Sequence, residues 1–415
     1  MKTKKLCIAI VPAFAFMTTI SLAQQTEPII VASAENITEP LSISESKEED
    51  EPEPSFTLSG SIDTYFRSSF GTYNPYLGGY GPTTSFGDLK GFGLGMANLV
   101  ASYGGEKAGF TADLVFGPRG QAAVFGTASG QAVINQMYAY YKLSNAVTLN
   151  MGQFNTFLGY EVISPAVNFH YSTSYLFSWG PFSHSGLRAD IDLGNGLGLK
   201  LAVMNPTDIV EFNPVNTYTI GGQIGKTTDA GGIWVNALYG DQDGKLNTKD
   251  DPYVYDDNGD IAGFIASAGA LFQVDVTTGW NLSEKFYLGF NTSHQSVSSG
   301  EEFVAEGSIS ESEGNSTSFT GIAVYPKVTL SETFSLGARA EYFAIKKGHL
   351  DLFTLDEEGS GSVTAVTISA NYKVGALTVI PEFRIDTTSE DSFLDADNKA
   401  TDKLASIALA AVYKF

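Results

Sequence analysis

The chain is poor in cysteine, histidine and basic residues. It has one Cys (Cys7), four His, and 24 Lys and Arg against 46 Asp and Glu, for a net charge of −22. That balance argues against nucleic acid, which demands a basic footprint. Beyond the first 23 residues no run of about eighteen apolar residues occurs, so no segment can cross a bilayer as a helix. There is no Cys–His cluster, glycine-rich phosphate loop or zinc spacing, so no metal or cofactor is expected. His170, His184, His294 and His349 are scattered over different segments, and Ser183 and His184, as sequence neighbours, point to opposite faces of a strand. No catalytic residue is therefore assigned, although two histidines could still meet in space. What is abundant is Gly (44), Phe (28) and Tyr (20), the composition of strands and turns.

The N-terminus reads as an export signal. MKTKK precedes an apolar run from Leu6 to Phe16, and small residues lead to Ser21-Leu22-Ala23. The mature chain is expected to begin near Gln24. Cys7 lies right behind the lysines, not at the cleavage point, so it is not read as a lipid-anchor cysteine. Without it the mature chain has no disulfide, and a closed hydrogen-bonded barrel in lipid would supply the missing stability. Residues 24–55 end in SKEEDEPEPS and contain no aromatic, a composition that cannot bury enough apolar surface to fold. The expected division is residues 1–23 export signal, 24–55 acidic disordered tail, and 56–415 one domain.

From Phe56 onward, stretches of alternating apolar and polar residues recur. In Leu336-Ala338-Ala340-Tyr342, Gly337, Arg339 and Glu341 occupy the other phase, and in Phe286-Leu288-Phe290 it is Tyr287, Gly289 and Asn291. One face suits lipid and the other a wet interior. Seven short turns alternate with eight longer connections, which joins sixteen antiparallel strands into a transmembrane β-barrel. Short turns are periplasmic in such barrels, so both termini would be periplasmic. Residues 119–131 could be loop, short helix or strand. At the C-terminus Ile407, Leu409, Ala411, Tyr413 and Phe415 share one face. A terminal aromatic on such a strand resembles the outer-membrane sorting signal, here Tyr413 and Phe415. A soluble β-sandwich also alternates, but sixteen long strands with one-sided long loops would be unusual for it.

From Met151 to Asp208 the chain carries Gly152-Gln153-Phe154, Leu158-Gly159-Tyr160-Glu161, Asn168-Phe169-His170-Tyr171-Ser172, Ser174-Tyr175-Leu176-Phe177-Ser178, Gly180-Pro181-Phe182 and His184-Ser185-Gly186-Leu187-Arg188. In this order the motifs resemble the OmpL-like β-barrel porin family. Elsewhere the resemblance is of architecture only. It implies a porin of the bacterial outer membrane, passing small hydrophilic solutes by diffusion, and no catalytic residue to carry over. The alternatives are a non-conducting surface barrel used for adhesion or lipid contact, and a barrel enzyme.

The same stretch joins the fifth and sixth strands as the third long loop, which in many porins folds inward and narrows the pore. No Asp, Glu, Lys or Arg lies between Glu161 and Arg188, and the loop is rich in Tyr, Phe and Ser. Glu161, Asn168, His170, Tyr171, Tyr175, Phe177 and Trp179 are its candidate constriction residues. The other reading is a loop capping the outer rim. Four of the five arginines fall on the inward phase, where they avoid the cost of about 2–4 kcal/mol that a basic side chain pays near the lipid midplane. Arg67, Arg188, Arg339 and Arg384, with Asp63, Asp190, Glu341 and Glu382, are the candidate pore-lining residues. They would set a transverse field or form salt bridges that stiffen the wall. Tyr138 and Tyr140 belong to an interfacial girdle or, facing inward, to a sugar-stacking track.

The acidic stretches Asp241–Asp260, Glu301–Gly314 and Ser389–Asp402 would give a mild cation preference or merely solubility. Asp256–Asp260 lacks the regular spacing and closing Glu of a calcium loop. Expected partners are outer-membrane lipid, the barrel assembly machinery and small hydrophilic solutes. Sixteen-strand barrels are often trimers, but no strand shows a clear contact face for a homotrimer.

Overall fold

The computed structural model describes residues 55–75, 81–87, 90–125, 133–213, 217–242, 253–255, 261–264, 270–298, 304–305 and 316–415. The export signal, nearly all of the acidic tail, most of the acidic stretches Asp241–Asp260 and Glu301–Gly314, and the Asp256–Asp260 run lie outside these residues.

Sixteen strands form one closed antiparallel barrel. The first eight are β1 (Ser55–Ser69), β2 (Gly91–Gly104), β3 (Ala108–Phe116), β4 (Ile134–Ser144), β5 (Val147–Asn155), β6 (Ser183–Gly194), β7 (Leu197–Met204) and β8 (Thr219–Thr228). The rest are β9 (Gly231–Gly240), β10 (Leu271–Asn281), β11 (Phe286–Val297), β12 (Thr317–Ser331), β13 (Phe334–Lys346), β14 (Gly361–Val374), β15 (Leu377–Thr388) and β16 (Lys403–Lys414). Each pairs with the next in sequence, and β1 closes on β16 with Ile62 opposite Tyr413 and Arg67 opposite Ala408. The seam is finished by the last residue. Phe415 N–H donates to the Gly60 carbonyl and Gly60 N–H donates to the Phe415 carbonyl, both at 3.0 Å. Closure leaves no strand edge unpaired, which is what lets β-structure stand in hydrocarbon.

The alternation in the sequence has the expected consequence. Phe92, Met151, Leu201, Ile220, Ile368 and Leu409 are exposed on the outside, while Asp63, Arg67, Arg339, Glu341, Glu382 and Arg384 are buried inside. Seven connections are short and eight are long. In the second long connection Pro118–Ala122 forms a five-residue helix, α1, which settles the ambiguous start of that segment. A second short helix, α2 (Tyr175–Trp179), lies in the third. The fold positions its candidate site by bringing that third connection, residues 156–182, into the interior.

Candidate functional site

The third connection leaves β5 and rejoins β6 through a Thr156 N–H bond to the Phe182 carbonyl at 2.8 Å. Between these points it crosses the lumen and meets the far wall. An irregular backbone at membrane depth is tolerated only where protein or water satisfies its polar groups. Here inward side chains of the wall do so. Gln223 on β8 donates to the Phe157 carbonyl (2.9 Å), and Asp275 on β10 accepts from Gly159 N–H (3.0 Å). Glu382 on β15 accepts from the N–H groups of Tyr171 (2.8 Å) and Ser172 (3.1 Å). Glu341 on β13 accepts from those of Tyr175 (2.9 Å) and Leu176 (2.7 Å). That carboxylate therefore meets the first turn of α2, where N–H groups point outward without helical partners. Ser174 caps the same turn, accepting from Phe177 N–H at 3.0 Å.

Arg339 is the most heavily engaged group. Its guanidinium donates to Glu161 (2.5 Å), the Ser172 carbonyl (2.7 Å), Ser172 Oγ (3.1 Å), the Thr173 carbonyl (3.2 Å) and Thr367 Oγ1 (3.0 Å). Arg384 forms a forked pair with Asp386 and also donates to the Thr173 carbonyl at 2.7 Å. The charges on β13 and β15 thus face the loop, and the side chain of Arg339 is 0% exposed. Arg188 and Lys200 share Asp190 at 2.8 and 3.1 Å on β6 and β7, apart from the loop.

Apolar contacts complete the seat. Tyr160 stacks on Tyr325 with ring centroids 4.1 Å apart, and Tyr175 packs on Phe343 and Phe319. Three inward glycines act as sockets. A Cβ on Gly289 would stand 2.4 Å from Tyr160, one on Gly321 2.6 Å from Leu176, and one on Gly337 2.3 Å from Phe169. The close approach of loop and wall needs the missing side chain at each.

The remaining candidates take other places. Tyr171 donates its hydroxyl to Asp63 at 2.6 Å, bridging the loop to β1, and Arg67 bonds to the Phe86 carbonyl. Asn168 folds back on the loop, bonding both the N–H (2.9 Å) and the carbonyl (2.5 Å) of Val162. Phe177 packs on Phe182 and Phe86, and Trp179 donates to the Thr83 carbonyl at 3.0 Å. Sequence reasoning passed over Arg119 in α1, which donates to the carbonyls of Ile163 (2.8 Å) and Tyr171 (3.2 Å). The available signal was the charge-free run after Glu161, which leaves the carbonyls of a buried loop to be met by cations from elsewhere.

One arrangement bears on catalysis. His170 Nδ1 lies 2.8 Å from Ser369 Oγ, and Ser369 donates to Glu382 at 2.9 Å. The serine stands between the histidine and the acid, whereas an activated nucleophile needs the histidine in the middle. Ser369 is also sealed beneath the loop. Burial, reinforced by the charge of Arg339, lowers the His170 pKa to about 4, so the ring is neutral at ordinary pH.

Two cavities lie along β1. One, of about 340 Å³, opens near the short turns and is lined by Ser61, Asn98, Asp113, Asn135, Tyr138 and Asn155 among others. The other, of about 660 Å³, lies near the long loops and includes Arg67, Thr72, Lys90 and Asp395. Asp63 and Tyr65, the inward residues between Ser61 and Arg67, separate them.

A closed sixteen-strand barrel with an apolar exterior, a polar interior and an inward third loop is an outer-membrane porin-type barrel. The chain belongs to the family described as "Putative beta-barrel porin-2, OmpL-like", which matches residues 55–415. No curated protein sequence matches it. Among solved structures it is similar to a loop L8 deletion mutant of OmpT, an outer membrane protein of Vibrio cholerae, at 13% identity and a TM-score of 0.55, covering 87% of this chain and 99% of that one. It is also similar to the trimer form of in-vitro folded OmpT from that organism, at 11% identity and a TM-score of 0.53, covering 87% and 99%. The outer membrane channel DcaP of Acinetobacter baumannii matches at 14% identity and a TM-score of 0.53, covering 87% and 97%. At these identities the likeness is one of fold.

Proposed function

We propose that this protein is a passive diffusion channel for small hydrophilic solutes. Export would follow the signal in residues 1–23, and the acidic tail (24–55) and both termini would stand in the periplasm. The observation that carries this reading is the pair of cavities near the two ends of β1, each with polar and charged side chains in its lining. The third loop seals the lumen against β10–β15 and leaves polar space along β1–β5. Passage is then narrowest where Tyr171 reaches Asp63. Arg67 and Asp63 are the charged groups nearest that narrowing, with Asp113 and Lys414 in the cavity on one side and Lys90 and Asp395 in the cavity on the other, whereas Arg339, Glu341, Glu382 and Arg384 act by holding the loop. The likeness to a trimer form also supports a homotrimer. Tyr413 and Phe415 would serve in recognition by the assembly machinery.

The test is single-channel recording of the refolded mature protein in a planar bilayer. Ohmic steps that grow when Tyr171→Ala removes the bridging side chain support the reading. A correctly inserted barrel that stays silent in both forms refutes it and favours a non-conducting surface barrel. That second reading has its own observation, the extent to which the loop saturates the charges of the β13 and β15 wall. No catalytic role is proposed, because the Ser–His–acid contact of Ser369, His170 and Glu382 has the wrong order.

A further inference from the structure

Five lysines stand on the inner face of the barrel at its short-turn end: Lys142 on β4, Lys200 on β7, Lys327 on β12, Lys373 on β14 and Lys414 on β16. Each lies two residues from a buried or half-buried inward residue, in turn Tyr140, Ala202, Tyr325, Asn371 and Val412. Alternation therefore points all five into the mouth and none at lipid. Among the described residues, the inner-face carboxylates at this level are Asp190 and Asp192 on β6. Asp190 is taken by Arg188 and Lys200, and Asp192 accepts from Gly194 N–H. Asp113, deeper in, is held by the side-chain amides of Asn98, Asn135 and Gln136. The chain end at Phe415 is engaged by Gly60 N–H. The turn tips outside the ring carry both signs in near balance, Glu106, Asp229, Glu284 and Glu332 with Lys107, Lys226 and Lys285. The mouth thus has more cations than acids of its own to meet them.

Acids of the right number stand next to this mouth in the chain itself. Glu48, Glu49, Asp50, Glu51 and Glu53 come immediately before β1. That strand begins at the short-turn end, where Ser55 pairs with Gly104. A Cβ on Gly104 would stand 3.6 Å from Ser55 Oγ and 3.4 Å from the Tyr140 hydroxyl, so the chain enters on the inner face beside β4. Lys142 is the next inward residue there. On the other flank of β1, Lys414 pairs with Ser61 and shares a cavity with Ser59. Lys142 and Lys414 are exposed. Lys200 already pairs with Asp190, and Lys327 leans over the Tyr287 ring at 5.1 Å, so the first two carry the site. Sixteen strands about 4.8 Å apart and tilted about 40° make a barrel roughly 30 Å across. At up to ~3.5 Å per extended residue, Glu53 stays within about 7 Å of Ser55 and Glu48 reaches up to about 25 Å. The five carboxylates can span the mouth without leaving it.

We propose that the acidic segment Glu48–Glu53 folds back across the short-turn mouth and docks on the inward lysines, with Lys142 and Lys414 as its nearest contacts. The segment supplies the mouth's counter-charge and suppresses the anion preference that bare lysines would give. Its effect on permeation rests on the diffusion-channel reading, whereas the contact itself does not.

The contact is tested on the refolded full mature chain in detergent by carbodiimide coupling, which joins a carboxylate to a lysine amine where the two touch. Coupled peptides are read by mass spectrometry, with Asp190 and Lys200, 3.1 Å apart, as internal control. Coupling of residues 48–53 to Lys142 or Lys414 is expected at about 0.1 M salt and should be lost at about 1 M, where the screening length falls from about 10 to about 3 Å. Coupling that is absent at low salt, persists undiminished at high salt, reaches only the turn-tip lysines or joins only separate copies overturns the proposal. In planar bilayers, Glu48→Gln, Glu49→Gln, Asp50→Asn, Glu51→Gln and Glu53→Gln together should shift the reversal potential toward anions at low salt and leave it in place at high salt. No shift at low salt in a conducting barrel overturns the effect on permeation. A silent barrel that couples defeats only the channel reading, and a conducting one that does not couple defeats only this proposal.

Discussion

Replacing Arg339 by alanine removes the centre of the loop's attachment while leaving the barrel ladder intact. Four of its five hydrogen bonds go to the loop, at Glu161, Ser172 twice and Thr173, and the fifth goes to Thr367 of β14. After the change Glu161 keeps the Ser174 N–H at 2.6 Å but loses its counter-charge in a site where its side chain is 4% exposed. Breaking a buried pair by removing one partner costs about 3–5 kcal/mol. At ~1.4 kcal/mol per factor of ten, the seated-to-released ratio of the loop falls by two to three and a half powers of ten, from about 10²-fold to about 4,000-fold. Local opening sets the rate of amide exchange. Exchange at Ser172, Tyr175 and Leu176 should therefore accelerate by that factor while the strand amides of β13 and β14 stay protected. Hydrogen exchange read by mass spectrometry measures both in one experiment. Adding Glu161→Gln to Arg339→Ala should recover part of the loss, because the stranded charge is then gone. Unchanged exchange in the single variant, within about threefold, would refute the view that this ion pair holds the loop in place.

Other perturbations test the same seat from different sides. Gly337→Ala should unseat Phe169, since the new Cβ would stand 2.3 Å from its ring. Combining it with Phe169→Ala should restore exchange protection in a double-mutant cycle, and additive losses would contradict the socket. Acidification should loosen the loop. His170 stays neutral when seated, with a pKa near 4, against an ordinary value of 6.5 when released. The released form takes up a proton that the seated form does not, so seating is at full strength above pH 6.5 and weakens as pH falls toward 4. Glu382 and Glu161 oppose this shift while Arg339 reinforces it. Channel noise or exchange followed against pH should show that window, and His170→Gln should flatten it. Deleting Phe415 removes both backbone bonds to Gly60. It should lower the yield of heat-modifiable, membrane-inserted barrel more than Phe415→Tyr does.

The barrel could be read from the sequence because lipid imposes a simple rule on each strand. In β13, Leu336, Ala338, Ala340 and Tyr342 must face hydrocarbon, so Gly337, Arg339 and Glu341 have only the interior left. Short turns such as the one between Gly194 and Leu197 mark strand ends, and their alternation with long connections fixes an even count. Each inference is local, spanning two strands at most. Residues 119–131 resisted because α1 sits outside any strand period and draws its order from contacts with the third loop, through Arg119.

What the interior charges do is a different kind of information. Alternation says that Arg339 points inward but not what meets it, and its partners Glu161 and Ser172 lie 178 and 167 residues away in the chain. A transverse field across open water and a clamp on a folded-in loop call for the same residues at the same phase. The distinction lies in the loop. Between Glu161 and Arg188 it carries no charge of its own, so two cations (Arg339 and Arg384) and two carboxylates (Glu341 and Glu382) on the wall supply what its buried backbone requires. The glycines argue likewise. Gly289, Gly321 and Gly337 look like weak strand positions until Tyr160, Leu176 and Phe169 fill the space they leave. Wall charge, wall glycine and uncharged aromatic loop are three aspects of one packing arrangement. Changing any of them should move the loop before it moves the barrel, because the strand ladder depends on none of the three.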